Sequence, residues 1–225
     1  MKKYFIGVFF IAQIFGFGGV GVYALSDMVS RTPAITTDAN NLLTITPGDI
    51  SNHLGGGGFL YLDVLPFIDL ELSGEVAAVK YPIAVNVAAG EFTQDIAATR
   101  GSAYLTLRKK IIGASVPLLA KIQLYAGLGA NKHWVTPDFG VPFVESTFSN
   151  IESVDFSDVQ VYEKVLTTMK DNKIESDGFH VQIGMQAKLL TFNMFINGRY
   201  TIAPDVIGLG SSGFPSAWVG LALGF

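Results

Sequence analysis

Hydrophobic and polar residues alternate along most of the chain. From Phe179 to Leu189 one parity reads Phe179, Val181, Ile183, Met185, Ala187 and Leu189, and the other reads His180, Gln182, Gly184, Gln186 and Lys188. From Lys121 to Gly129, Ile122, Leu124, Ala126 and Leu128 alternate with Lys121, Gln123, Tyr125, Gly127 and Gly129. From Thr191 to Ile202, Phe192, Met194, Ile196, Tyr200 and Ile202 oppose Thr191, Asn193, Asn197, Arg199 and Thr201. A period of two sends successive side chains to opposite faces, so each run predicts a β-strand.

The same pattern marks eight segments, at about 16–25, 59–65, 68–81, 102–111, 118–130, 179–189, 191–202 and 215–225. Three connections are short: Pro66–Phe67, Ile112–Pro117 and the turn around Leu190. They alternate with longer ones at 26–58, 82–100, 131–178 and 203–214. Short turns at one end, longer loops at the other and an even strand count are the signature of a membrane-spanning barrel with both termini at the turn end. Within the longest loop, 157–171 predicts an amphipathic helix. Ser157 or Asp158 would be its N-cap, with Val161, Val165, Leu166 and Met169 on one face. The first loop, rich in Thr, Asn and Gly, is expected to be mobile.

Composition narrows the environment. Hydrophobic residues make up 49% of the chain and charged residues 15%, with mean hydropathy +0.40. Only Tyr4–Ser26 is a charge-free stretch long enough for a membrane helix, so a polytopic helical bundle is excluded. A soluble barrel would also alternate, but its polar face would be rich in Lys, Glu and Asp. Here that face carries Gly, Gln, Asn, Thr and Tyr with a few charges, which suits an enclosed, hydrogen-bonded lumen. The expected fold is all-β: a closed eight-stranded antiparallel up-and-down transmembrane β-barrel.

The formal charge of −4, with no Lys/Arg cluster, argues against nucleic-acid binding. The absence of cysteine excludes a disulfide framework, a thiolate metal site and a cysteine nucleophile. No His/Asp/Glu spacing suggests a metal, and no cofactor is expected.

The chain ends Trp218-Val219-Gly220-Leu221-Ala222-Leu223-Gly224-Phe225. The set Val219, Leu221, Leu223 and Phe225 resembles the C-terminal assembly signal of bacterial outer-membrane barrels. The whole pattern resembles the small eight-stranded family typified by the membrane domain of outer-membrane protein A and by outer-membrane protein W. That resemblance implies the outer membrane of a Gram-negative-type bacterium, with outer-membrane lipid as neighbour. It also implies the barrel-assembly machinery and periplasmic chaperones as partners during biogenesis.

Lys2 and Lys3 followed by Tyr4–Ala12 read as a secretory signal. Cleavage after Ala24, with Val22 and Ala24 at the small-residue positions, would remove the first strand. Cleavage near Ala12–Gln13 keeps it and is preferred. Residues 1–13 are then a signal peptide and 14–225 the barrel. Retention as a helical anchor is disfavoured by Gly16, Gly18, Gly19 and Gly21.

Chain direction places Asp63, Asp69 and Glu71 inward in the periplasmic half, at the depth of Arg108, Lys121 and Lys188. Glu75 and Arg199 lie higher. Charges sharing a narrow lumen should pair, and the expectation is an ion-pair network that stabilises, plugs or gates the barrel. Tyr61, Tyr104, Tyr125 and Phe195 are expected as inward fillers. Girdle aromatics are expected at Phe67, Phe192 and Phe225 below and at Tyr81, Trp134, Phe179 and Tyr200 above. His53 and His133 read as loop residues and His180 as inward. Ser176, Asp177 and His180 crowd one strand end without the spacing of a catalytic triad, so no enzyme is expected. The leading role is structural or a narrow passive, porin-like pore. The alternatives are a carrier for small hydrophobic molecules and an enzyme modifying lipid A.

Overall fold

The computed structural model describes residues 18–63, 68–87, 90–116, 119–148, 158–206 and 213–225. In chain order the strands are β1 (Gly18–Asp27), β2 (Ser30–Arg31), β3 (Thr36–Thr37), β4 (Leu43–Pro47), β5 (Ile50–Ser51) and β6 (Leu54–Leu62). They continue as β7 (Asp69–Val87), β8 (Gly90–Val116), β9 (Ala120–Val135), β10 (Ile174–Leu189), β11 (Phe192–Ile202) and β12 (Phe214–Gly224). Among the described residues, two helices, α1 (Val141–Thr147) and α2 (Val159–Asp171), lie between β9 and β10.

Eight of these strands close a ring. Each pairs antiparallel with its neighbours in the order β1, β6, β7, β8, β9, β10, β11, β12, and β12 returns to β1 through Gly19↔Gly224 to Asp27↔Ser216. The ring is sheared. A row of paired positions runs from Ala78 through Leu54, Ser26, Ala217, Gly198, Ile183 and Ala126 to Lys109. Lys109 adjoins the Asp69↔Arg108 pair, so the circuit closes beside Ile68, ten residues nearer the short-turn end than Ala78. Strands in such a barrel tilt by about 35–45°. The tight β10–β11 turn uses Leu190 at φ 55, the left-handed conformation that two-residue hairpins favour.

The alternation sets which side chains face out. Val22, Leu128 and Leu221 are 68%, 63% and 65% exposed, while their neighbours Tyr23, Gly127 and Ala222 turn inward. Leu60, Leu72, Leu105, Ile183, Ile196 and Val219 continue an apolar belt round the ring. An uninterrupted apolar surface of this extent is stable against hydrocarbon and not against water.

Several strands are longer than their sequence pattern suggested. The segments 82–100 and 26–58 are not simple loops. β7 and β8 continue as one hairpin past the ring, paired from Val79↔Ala98 to Val87↔Gly90, and β4 adds to its edge from Leu43↔Val87 to Pro47↔Ile83. This sheet, α1 and α2 enclose a second core at the long-loop end. It contains Leu43, Ile45, Ile50, Tyr81, Ile83, Val85, Ile96, Phe139, Phe143, Val144, Val165 and Met169. Tyr81 therefore belongs to this core and not to an interface girdle. Phe179, Tyr200 and Phe192 do face outward, and Phe67 lies outside the described residues.

Helix α2 starts where expected, with Asp158 as its N-cap: the carboxylate accepts from the Gln160 amide at 2.9 Å. It buries Val165 and Met169 but leaves Leu166 exposed, so the apolar stripe is narrower than the sequence implied. Helix α1 is not announced by the hydrophobic pattern. The first loop is likewise anchored: Arg31 forms a two-pronged ion pair with Asp138, and the Thr36 hydroxyl accepts from the Val141 amide at 2.8 Å.

His53, in the connection before β6, is buried at this end. Burial, reinforced by the nearby Arg100 and Arg31 guanidinium groups, pushes its pKa from 6.5 down to about 4. Between those values the unfolded chain binds the extra proton and the folded one does not, so stability from neutral His53 is lost as pH falls through that window. Amide protection factors across residues 27–54, corrected for the intrinsic exchange rate at each pH, should fall on acidification through it, and His53→Gln should flatten the response. An unaltered profile in the variant would exclude His53 as the titrating group.

The proposed signal peptide, residues 1–13, lies outside the described residues. Processing after Ala24 would delete most of β1, the strand that joins β12 to β6.

Candidate functional site in the barrel lumen

The inward parity builds two unlike walls. β1, β6, β11 and β12 contribute Tyr23, Phe59, Tyr61, Phe195 and Trp218, all buried. Their rings interlock, with centroids 4.7 Å apart for Tyr23–Trp218, 5.1 Å for Phe59–Phe195 and 5.3 Å for Tyr61–Phe195. Small residues make room for them. A side chain at Gly19 would meet the Tyr61 ring at 2.6 Å, and one at Gly57 the Tyr23 ring at 2.7 Å.

The facing wall, from β7 to β10, carries most of the charge. Nearer the short turns, Arg108 lies 3.1 Å from Glu71 and 3.3 Å from Asp63, and Lys121 reaches the other Asp63 oxygen at 3.3 Å. The Arg108 guanidinium also lies over the rings of Tyr125 and Tyr61, at 4.9 and 5.4 Å from their centroids. Nearer the long loops, Glu75 bridges Arg199 at 2.7 Å and Arg100 at 2.9 Å, while Asp27 holds Arg100 at 2.6 Å. The Tyr23 and Tyr104 hydroxyls both donate to Glu75, at 2.7 and 3.0 Å. Each layer pairs two carboxylates with two cations, which is what permits their burial.

Six of the eight anticipated lumen charges thus fall into two groups: Asp63, Glu71, Arg108 and Lys121 in one, Glu75 and Arg199 in the other. Among the described residues, neither Asp69 nor Lys188 comes within ion-pair distance of an opposite charge. Sequence reasoning missed Asp27 and Arg100, having ended their strands too early. The signal was present: Tyr23, Leu25 and Asp27 share one parity, as do Arg100, Ser102 and Tyr104.

His133 is a correction of the same kind. It is not a loop residue but points inward from β9, fully buried, with Nδ1 2.6 Å from the Ser102 hydroxyl and Nε2 3.0 Å from the Asn131 side-chain oxygen. His180 is inward, its Nε2 2.9 Å from the Thr106 hydroxyl. Ser176 instead donates to the Pro204 carbonyl at 2.6 Å, and the exposed Asp177 lies 3.9 Å from Lys132. The three do not converge. At the C-terminus Val219, Leu221 and Leu223 face outward in one line, with Phe225 just beyond β12.

A closed ring, an apolar exterior and a charge-paired, aromatic-filled interior leave one environment for the outer surface. The chain is a membrane-spanning β-barrel. Its architecture is that of the small bacterial outer-membrane barrels: eight strands, short turns at one end and long connections at the other. No protein-family model matches the chain, and no curated protein does. Among solved structures it is similar to Ail, the attachment invasion locus protein of Yersinia pestis, at 9% identity with a TM-score of 0.43. It is similar also to the N-terminal β-barrel domain of Pseudomonas aeruginosa OprF, at 12% identity with a TM-score of 0.40. Each likeness covers 92% of this chain and 97% of the other.

Proposed function

We propose that the chain is an outer-membrane protein of a Gram-negative-type bacterium, inserted by the barrel-assembly machinery after removal of residues 1–13. Its activity is that of a narrow passive pore held mostly closed by its own lumen charges. The supporting observation is that the ion pairs share members. Glu75 serves both Arg199 and Arg100, and Arg108 serves both Glu71 and Asp63. Where partners are shared, one contact can open while another keeps the buried charge compensated, so the lumen can rearrange without stranding an ion. A barrel of eight strands has room for side chains and little more, so any conductance is small.

Single-channel recording of the refolded chain in planar bilayers tests this. Small, brief steps are expected, with longer openings in Glu71→Gln, which weakens one of the two contacts that hold Arg108. Silent membranes for both proteins would leave the barrel a purely structural element, and large porin-like steps would contradict a filled lumen.

A further inference from the structure

One register row crosses six strands of the barrel: Arg108 on β8, Gly127 on β9, Gln182 on β10, Arg199 on β11, Ser216 on β12 and Asp27 on β1. All five side chains are at least nine-tenths buried and inward. Each also carries a polar atom without a protein partner: Arg108 Nε, Gln182 Oε1, Arg199 Nε, Ser216 Oγ and Asp27 Oδ1. Because the strands tilt, such a row climbs the barrel as it turns, from the Arg108 layer near the short turns to the Asp27 layer near the long loops. Gly127 contributes no side chain, and the row passes it without an apolar interruption.

We infer that this row is a hydrated seam, a helical file of internal water that joins the two ion-pair layers. Buried donors and acceptors are matched almost without exception, by protein or by water, and an empty cavity is apolar where a wet one is lined by such groups. Two adjacent mismatched atoms would be an isolated flaw. Five on one continuous row make a path. The aromatic wall is drier by the same reasoning, since Phe59, Phe195 and Trp218 offer water almost nothing, and the unpartnered Asn197 Nδ2 borders it beside Trp218. Resting on the pore reading, the seam identifies the permeants as water and small hydrated ions travelling along β8 to β1 and not through the middle of the barrel.

The absence of cysteine makes the test clean. Single variants Ser216→Cys and Gln182→Cys report on the seam, and Ala222→Cys, on the same strand as Ser216 but packed in the aromatic cluster, reports on the drier wall. Each is refolded in lipid vesicles, exposed to silver ion, then unfolded and treated with maleimide, with mass spectrometry counting the thiols still free. Folding of each variant is checked beforehand by its β-sheet circular dichroism. Both seam cysteines are expected to lose their maleimide reactivity while Ala222→Cys keeps it. Protection of either folded seam variant, or equal loss at Ala222→Cys, would overturn the seam. Silent bilayer recordings with a labelled seam would remove the pore reading and leave the hydrated row standing.

Discussion

Glu75→Ala is expected to destabilise the barrel by about 3–5 kcal/mol, the cost of leaving buried charges without their counter-ion. Glu75 contacts four lumen side chains, Arg199, Arg100, Tyr23 and Tyr104. With it gone, Asp27 still compensates Arg100, but among the described residues Arg199 keeps only the face of Tyr104, 3.6 Å from the ring centroid. Arg199→Met in the Glu75→Ala background should therefore recover part of the loss, because it removes the stranded charge. Urea unfolding in vesicles, followed by tryptophan emission, reads both. A cost for Glu75→Ala near that of a surface substitution would mean the layer is solvated and its pairs incidental.

The second large effect lies on the opposite face of the wall. Leu128→Arg puts a guanidinium in the middle of the apolar belt, where a lipid-facing charge costs about 2–4 kcal/mol. Leu166→Arg is the matching control, since Leu166 on α2 is also an exposed leucine but belongs to the long-loop end. Its change should stay within about 0.5 kcal/mol, as for ordinary surface substitutions. The two leucines look alike by exposure, and only the solvent around them differs. Equal costs for both would place the belt in water.

Much of the barrel was legible because its physics is local. Each strand must present apolar groups to lipid and tolerate polar ones inside, so Leu70, Leu72 and Val76 alternate with Glu71, Ser73 and Glu75 whatever the partner strands are. The ends of strands were harder to read. Past Tyr81 the outward positions Pro82, Ala84 and Asn86 no longer look lipid-facing, because that part of the hairpin has left the apolar belt, and the alternation loses its contrast. Arg100 and Asp27 lie at the long-loop ends of their strands, where outward neighbours such as Thr99, Gly101 and Ser26 give no apolar contrast, although each continues the inward parity of its strand.

Of the long-loop core only the α2 face, Val165 and Met169, was legible. The core joins Ile45 and Ile50 to Ile83 and Ile96 and to Phe143 and Met169, segments far apart in the chain. Apart from α2, none of them carries a long enough apolar pattern to announce a core by itself. The shared ion pairs have a similar origin, since Asp63 meets Arg108 and Lys121 only because the shear of the ring brings three strands to one depth.

Closure of the ring tests the account most directly, because it joins the two strands furthest apart in sequence. Val22 and Leu221 are register partners on β1 and β12, both facing outward. The double variant Val22→Cys/Leu221→Cys, refolded in vesicles and oxidised, should cross-link within one molecule, while Val22→Cys/Ile183→Cys, with its second thiol on β10, should not. Cross-linking of neither pair, or of both alike, would contradict a closed eight-stranded barrel in this register.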